Sequence, residues 1–574
     1  MLLAACAAGF LRAHAAAVVP PASGLVTLSV LSTTDLHGFV FPRNDRGGLA
    51  LLAGYVNNLR AARAADGGAV LLLDSGDTFQ GGIESDLSEG AIVVDAYNAM
   101  GYTAAAIGNH EFDFGAADLP GARQDPEADP RGAIKARAAQ ARFPFLAANL
   151  IDDGTGRAVE WPNVRPSVLI ERAGLKVGLV GVMTVGGLRA TLPANVRGLH
   201  LAPLVASIAS EASRLRSAGA DVVIVVAHAG GGCAVFGEPA DLSSCDAASE
   251  IFQVARGLPA GLVDAIAAGH THDGLAHVVN GIAIVQGYAL GRAFGRLDLA
   301  VDPASHRVVA ARPFAPREVC ARQIAEASTC GAAPQVTSSP QYEGRAVRAD
   351  ETIASAMVPA LTRVRELQAT NLGIVLKTSV ARAGVAESPL GNLFADALRE
   401  GAGPADVAIN NNSRGGLRAD LPAGPLTFGG LYDVFPFDNR LVRLVLSGAD
   451  LRRVLAEEME RGRPGALGLS GVRVHVACEA SGYRVEIARA DGRPVTDTEQ
   501  LTLVAMDSLV SGPVFASVAP PGGFVTPITA PVAREIVEDW LRGRTGTLDG
   551  DEFVDRDHPR WGYPGPPSRP CQVP

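Results

Sequence analysis

Short apolar runs recur through the first half of the chain: Leu25 to Leu31, Val70 to Leu73, Ala104 to Ile107, Val222 to Ala227 and Val263 to Ala268. Each is about strand length and stops at Gly, Asp, Asn or His, which predicts buried strands that deliver polar residues to one sheet edge. Open α/β sheets place their ligand sites there, at the carboxyl ends of the strands. Further on, Ile353, Met357, Leu361 and Val364 recur at helical spacing despite Pro359, so a helix is expected to join two halves. Between Glu318 and about Arg348, Cys320 to Cys330 and Pro334 to Pro340 break the periodicity, which places a domain boundary there. A chain of 574 residues exceeds one core in any case.

Composition narrows the class. A net charge of −10 and a pI near 5.6 argue against a nucleic-acid surface. The only lysines are Lys135, Lys176 and Lys377, and the arginines are scattered, as a coding bias would leave them. Residues 1–23 read as an export leader, either a plain signal ending in Ala13-His14-Ala15 or a lipoprotein leader with Leu3-Ala4-Ala5-Cys6 as the acylation motif. The apolar stretch is too short for a membrane span, so no transmembrane segment is expected. The remaining cysteines are even in number, which fits an oxidising compartment. Short spacings pair Cys233 with Cys245 and Cys320 with Cys330, leaving Cys478 for Cys571.

The strand ends carry the chemistry. Asp35 and His37 are two apart and, on an extended segment, would face one side and hold a cation together, although a strand-end Asp can also cap a helix. Asp77 offers two oxygens and can bridge two ions, whereas Asp74, nearer its strand, reads as a turn or supporting residue. In Gly108-Asn109-His110-Glu111-Phe112-Asp113, an amide oxygen and an imidazole emerge together. A helical start would let Asp113 pair with the His110 ring and fix its tautomer. His228 ends one Val-rich run, and His270 and His272 end another. With only 11 His in the chain, this concentration at predicted strand ends is not a packing pattern.

These clusters resemble the calcineurin-like metallophosphoesterases. The strings Ser388 to Ala397, Gly415-Gly416-Leu417-Arg418 and Phe435-Pro436-Phe437-Asp438-Asn439 resemble the substrate domain of secreted 5'-nucleotidases and bacterial periplasmic UDP-sugar hydrolases. The resemblance covers nearly the whole chain after the leader. It implies an α/β fold: a four-layer metallophosphoesterase β-sandwich flanked by helices over 24–335, a linker and interdomain helix over 336–360, and a second α/β (α+β) substrate-binding domain over 361–574. It further implies one divalent ion on Asp35, His37, Asp77 and His272 and a second on Asp77, Asn109, His228 and His270. A donor set without Cys favours zinc, manganese or iron. His110, oriented by Asp113, would stabilise the pentavalent phosphorus or protonate the leaving oxygen.

In the substrate half the chain departs from the family pattern. Arg418 and Phe437 match one phosphate contact and one base-stacking ring, but Ser508 stands where a second Phe is expected and Val514 where an Asp is expected. The run Asn410-Asn411-Asn412-Ser413-Arg414 is shifted, making Asn412 and Arg414 candidate contacts, with a solvated loop as the alternative for Arg414. The leading expectation is a periplasmic or secreted dinuclear phosphatase acting on nucleoside 5'-monophosphates. Cyclic-nucleotide phosphodiesterase, UDP-sugar hydrolase and non-catalytic nucleotide-binding protein remain the alternatives.

Overall fold

The computed structural model describes residues 24–563 apart from 44, 118–127, 325–328, 332–336, 383–386, 414–415, 462–464, 480–481, 528–529 and 545. The leader with Cys6, Arg414 and Cys571 therefore lie outside the described residues.

The predicted apolar runs form the middle of two facing sheets. In the seven-stranded sheet, Val26–Thr33, Ala69–Asp74 and Ala104–Ala106 run parallel and adjacent. In the six-stranded sheet, Leu175–Met183, Val222–His228 and Ala265–Ala267 do the same. Their facing side chains, among them Leu28, Val30, Leu71, Val222, Ile224 and Ala265, form one core. Helices Leu49–Asp66 and Ala91–Met100 cover the outside of the first sheet, and Leu204–Ser217 and Glu250–Gly257 cover the second. Strands buried on both faces read as continuous apolar runs rather than alternating ones. This is the expected four-layer sandwich, and parallel pairing brings the polar strand ends to the same edge.

The joining helix, Glu351–Gln368, starts at Asp350, whose side chain accepts the Thr352 N–H at 2.8 Å. Ile353 and Met357 enter the first domain's core, while Val364 packs with Ile83 and Tyr432. The helix runs past residue 360, so it spans the boundary expected there.

The second domain is α+β. Its four-stranded sheet has the order Leu441–Ser447, Gln500–Met506, Val407–Asn411, Leu467–Ser470. Helices Pro389–Gly401 and Ala533–Arg542 pack on it around Leu393, Phe394, Val504 and Val537. Disulfides join Cys233 to Cys245 and Cys320 to Cys330, as the spacings predict. Cys478 is also disulfide-bonded, and its expected partner Cys571 is outside the described residues. Among the described residues no helix is long and apolar enough to cross a membrane.

Candidate metal centre and interdomain cleft

The strand-end residues converge, but by a different backbone route from the one expected. Asp35 and His37 have φ of 50° each, and His270 and His272 have φ of 78° and 59°. None of the four lies on an extended segment. Each pair converges because both its backbones enter the left-handed region, a conformation that costs a non-glycine residue of order 1–3 kcal/mol. Asp77, with φ of 55°, shares it. Neighbouring turns hold the strain: Asp35 N and His37 N donate to Gly76 O and Asp77 O at 2.9 Å, and Leu290 N donates to Asp35 O at 2.7 Å.

Two groups of donors result. Asp35, His37 and His272 form one and Asp77, His228 and His270 the other, each with ligand atoms within 4.8 Å of one another. His37 Nδ1 lies 2.8 Å from Gln80 O and His228 Nδ1 lies 2.8 Å from Ser75 O, so both rings turn Nε2 inward. His37 Nε2 and His272 Nε2 are 3.1 Å apart. His228 Nε2 is 3.1 Å from Asp77 Oδ2, Asn109 Oδ1 and His270 Nδ1. Buried Asp35 Oδ1 has no hydrogen-bond partner among the described residues and lies 3.3 Å from His272 Nε2. Converging ring nitrogens beside an orphaned carboxylate oxygen are what a pair of divalent cations would satisfy, so the donors fit the implied group. Asp77 Oδ1 accepts the His110 N–H at 2.8 Å, which leaves Oδ2 facing His228 Nε2.

The electrostatics agree. Burial alone would raise the Asp77 carboxyl, but His228, His110 and His37 outweigh it and hold it well below the usual range. Burial disfavours a charged His110, yet Asp113 and Asp77 beside it raise its pKa to about 10. His110 Nδ1 is 2.6 Å from Asp113 Oδ2, across a single short turn at His110–Phe112, as the spacing predicts. Thr191 Oγ1 donates to the other oxygen of Asp113 at 2.7 Å.

Two buried carboxylates support this loop system. Asp74 accepts Thr33 Oγ1, Tyr97 Oη, Gly76 N and Thr78 Oγ1 at 2.6–2.9 Å, the supporting part expected for it. Glu111 was given no part by the sequence, yet it accepts Asp77 N at 2.9 Å, Thr78 N at 2.5 Å and Gly108 N at 2.6 Å. The available signal was an ionisable residue wedged between the metal-loop histidine and a large apolar Phe. Gly108 has no alternative here, because a Cβ would sit 2.3 Å from Asp77 Oδ1.

Both domains line a cavity of about 280 Å³ that contains His110, Asp113, Phe437, Asn439 and Ser508. Arg418 lies 4.5 Å over the Phe437 ring, and burial together with Arg43 lowers its pKa. Asn412 does not join them. Its amide donates to Gly465 O at 3.2 Å and its oxygen accepts Asn410 Nδ2 at 3.1 Å, inside its own domain.

Comparison with known proteins assigns the arrangement. A model of calcineurin-like phosphoesterases matches residues 28–274, and a model of the 5'-nucleotidase C-terminal domain matches residues 366–514. The chain belongs to the 5'-nucleotidase family. Among its family relatives is Endonuclease YhcR of Bacillus subtilis, 26% identical over 90% of this chain, which itself spans 40% of that protein's length. The 5'-nucleotidase of Vibrio cholerae is 26% identical over 74% of each chain. In fold, the 5'-nucleotidase precursor from Thermus thermophilus superposes with a TM-score of 0.57 at 23% identity, covering 91% of this nucleotidase-family chain and 97% of the other.

Proposed function

We propose that this nucleotidase-family protein is a periplasmic or secreted dinuclear phosphatase that releases phosphate from nucleoside 5'-monophosphates. The observation that carries the reading is the placement of the His110–Asp113 pair, 2.6 Å apart, in one cavity with the partly exposed ring of Phe437. A phosphoester at the histidines and an aromatic base on the ring would occupy that cavity together.

Asp35, His37 and His272 would hold one divalent ion, and Asp77, Asn109, His228 and His270 the other, with Asp77 Oδ2 shared. Such ions supply positive charge against the phosphoryl oxygens and hydroxide near neutral pH. The chain's own groups do the rest. Asp113 holds His110 with its Nε2 toward the cleft, where the imidazolium can donate a proton to the departing 5'-oxygen. Arg418, stacked on Phe437, adds positive charge behind that ring. Thr191 and Asn195 fix Asp113 and its backbone, the latter by donating to Phe112 O at 2.8 Å and Asp113 O at 3.3 Å, so the acid does not drift between turnovers.

The test is phosphate release from AMP, UDP-glucose, 2',3'-cyclic AMP and ribose 5-phosphate, with Mn²⁺ or Zn²⁺ and with chelator. AMP should be turned over with the highest kcat/KM and lost on chelation. Preference for the cyclic nucleotide or the sugar nucleotide would replace this reading with the corresponding hydrolase, and binding of AMP without turnover would make the protein a receptor.

A further inference from the structure

Phe437 offers only part of its ring to a ligand. Arg418 covers one face at 4.5 Å and Phe435 meets it edge-on at 5.5 Å, so what remains faces the cleft. Among the described second-domain residues that line the cavity, position 508 offers no second ring. Ser508 lines the same cavity but is exposed, its backbone N–H is bound to Asp507 Oδ1 at 2.8 Å, and its side chain is one hydroxymethyl long.

The first domain supplies further walls of that cavity. Arg189, Leu192 and Pro193 line the same cavity as Phe437 and Ser508. Their segment is held firmly: Thr191 donates to Asp113 at 2.7 Å, and Asn195, buried at 1% exposure, donates its backbone N–H to Leu192 O at 3.0 Å. Arg189 is exposed, and its guanidinium has no hydrogen bond or ion pair among the described residues. A planar, unengaged cation beside an apolar Leu-Pro step is a surface on which an aromatic heterocycle can stack.

We infer that residues 189–193 of the first domain form the wall opposite Phe437, so that the nucleobase is clamped between domains rather than within the second one. This rests on the nucleotidase reading and deepens it. A base pocket assembled in this way is complete only when the domains are closed, and because its walls are a ring, a guanidinium and aliphatic carbon, it grips any base by its face. The same segment holds Asp113, so seating the base and setting the general acid are coupled through Thr191.

The experiment compares KM for AMP with KM for ribose 5-phosphate, which has the same phosphoester and no base, in the full-length, metal-loaded enzyme and in R189A, L192A, R189K and the R189A/L192A pair. The ratio of the two KM values should rise about tenfold in the double variant, the scale of one lost stacking contact, with R189K between it and the wild type. S508F, which restores a ring within the second domain, should recover most of the ratio when added to the double variant. An unchanged ratio in both alanine variants overturns the inference, as does an equal rise for both substrates, which would make Arg189 a phosphate ligand. Failure of the wild type to release phosphate from either substrate would instead strike the nucleotidase reading beneath it.

Discussion

The hydroxyl of Tyr432, on the second domain's helix Phe428–Val434, donates to Asp86 Oδ2 on the first domain. The contact is buried beside the apolar cluster of Ile83, Val364 and Tyr432 that spans both domains and the joining helix. Arg534 stacks 5.1 Å over the Tyr432 ring and pairs with Asp438 at 2.5 Å, and Asp438 lines the interdomain cavity. The bond thus ties the Phe437 segment to the first domain beside the candidate metal centre. Tyr432→Phe leaves the ring in place but strips a buried carboxylate of a donor, a loss of about 1–3 kcal/mol. The expected result is a fall in kcat/KM for AMP of at least about fivefold with bound metal unchanged by elemental analysis. Wild-type kinetics would show that the bond does not position the domains.

Asp86 also gives a pH signature. Burial is the main reason its carboxyl is pushed up to about 8 from an ordinary 3.8, with Asp438 and Asp113 adding to the effect and the bonds from Tyr432 and Gly81 opposing it. A carboxyl raised in the folded state costs nothing below its unfolded value. The folded protein loses stability as pH climbs from about 4 to about 8, and above that the loss is complete. Asp86→Asn keeps an acceptor for Tyr432 and removes the titration. Thermal melts should show the variant gaining on the wild type as pH rises from 4 to 9. Parallel curves would mean that Asp86 does not carry this proton.

Metal retention and proton transfer should separate. Asp77→Asn weakens the shared bridge, and is expected to lose bound metal and phosphate release together. His110→Ala removes the ring but keeps the backbone N–H that Asp77 Oδ1 accepts, so it should keep the metal while turnover falls by about 10²-fold or more. Elemental analysis alongside steady-state kinetics reads both, and an active Asp77→Asn enzyme would remove the bridge from the mechanism.

How far these positions could be read from the sequence depends on what each owes to local pattern. The strand-end clusters were legible because parallel strands buried on both faces leave unbroken apolar runs, and Asp35, Asp77, Asn109 and His228 stand out against them. The pairing of His110 with Asp113 followed from helical spacing alone. The conformation of Asp35, His37, His270 and His272 was not legible: nothing in Asp-Leu-His or His-Thr-His announces positive φ, which the surrounding turns impose. Asn412 misled because a motif shifted by a residue still looks like the motif, and only the fold shows its amide bound to Gly465. The cleft wall at 189–193 was invisible for a related reason, since it comes from the other domain and nothing in its local sequence marks it.

Glu111 is the sharpest test of how the metal loops are held. It is 1% exposed, with Oε1 accepting Thr78 N and Oε2 accepting both Asp77 N and Gly108 N, so a single carboxylate ties the loop after one strand to the loop after the next. Burial, reinforced by Asp77, raises its pKa to about 7, while the bonds from Thr78 and Gly108 and the charge of His228 oppose the rise. Glu111→Gln preserves shape and volume but has one acceptor oxygen, so at least one backbone N–H must face an NH₂ group. The positive-φ backbone at Asp77 then loses a restraint that keeps its carboxylate between the two donor groups. Metal affinity should drop about 10- to 100-fold, as when a group that orients a ligand is removed. Competition against a buffered chelator measures this directly. Unaltered affinity in a folded Glu111→Gln protein would mean that the turn holds its shape from sequence-local contacts alone, and that the strain at Asp77 is relieved elsewhere.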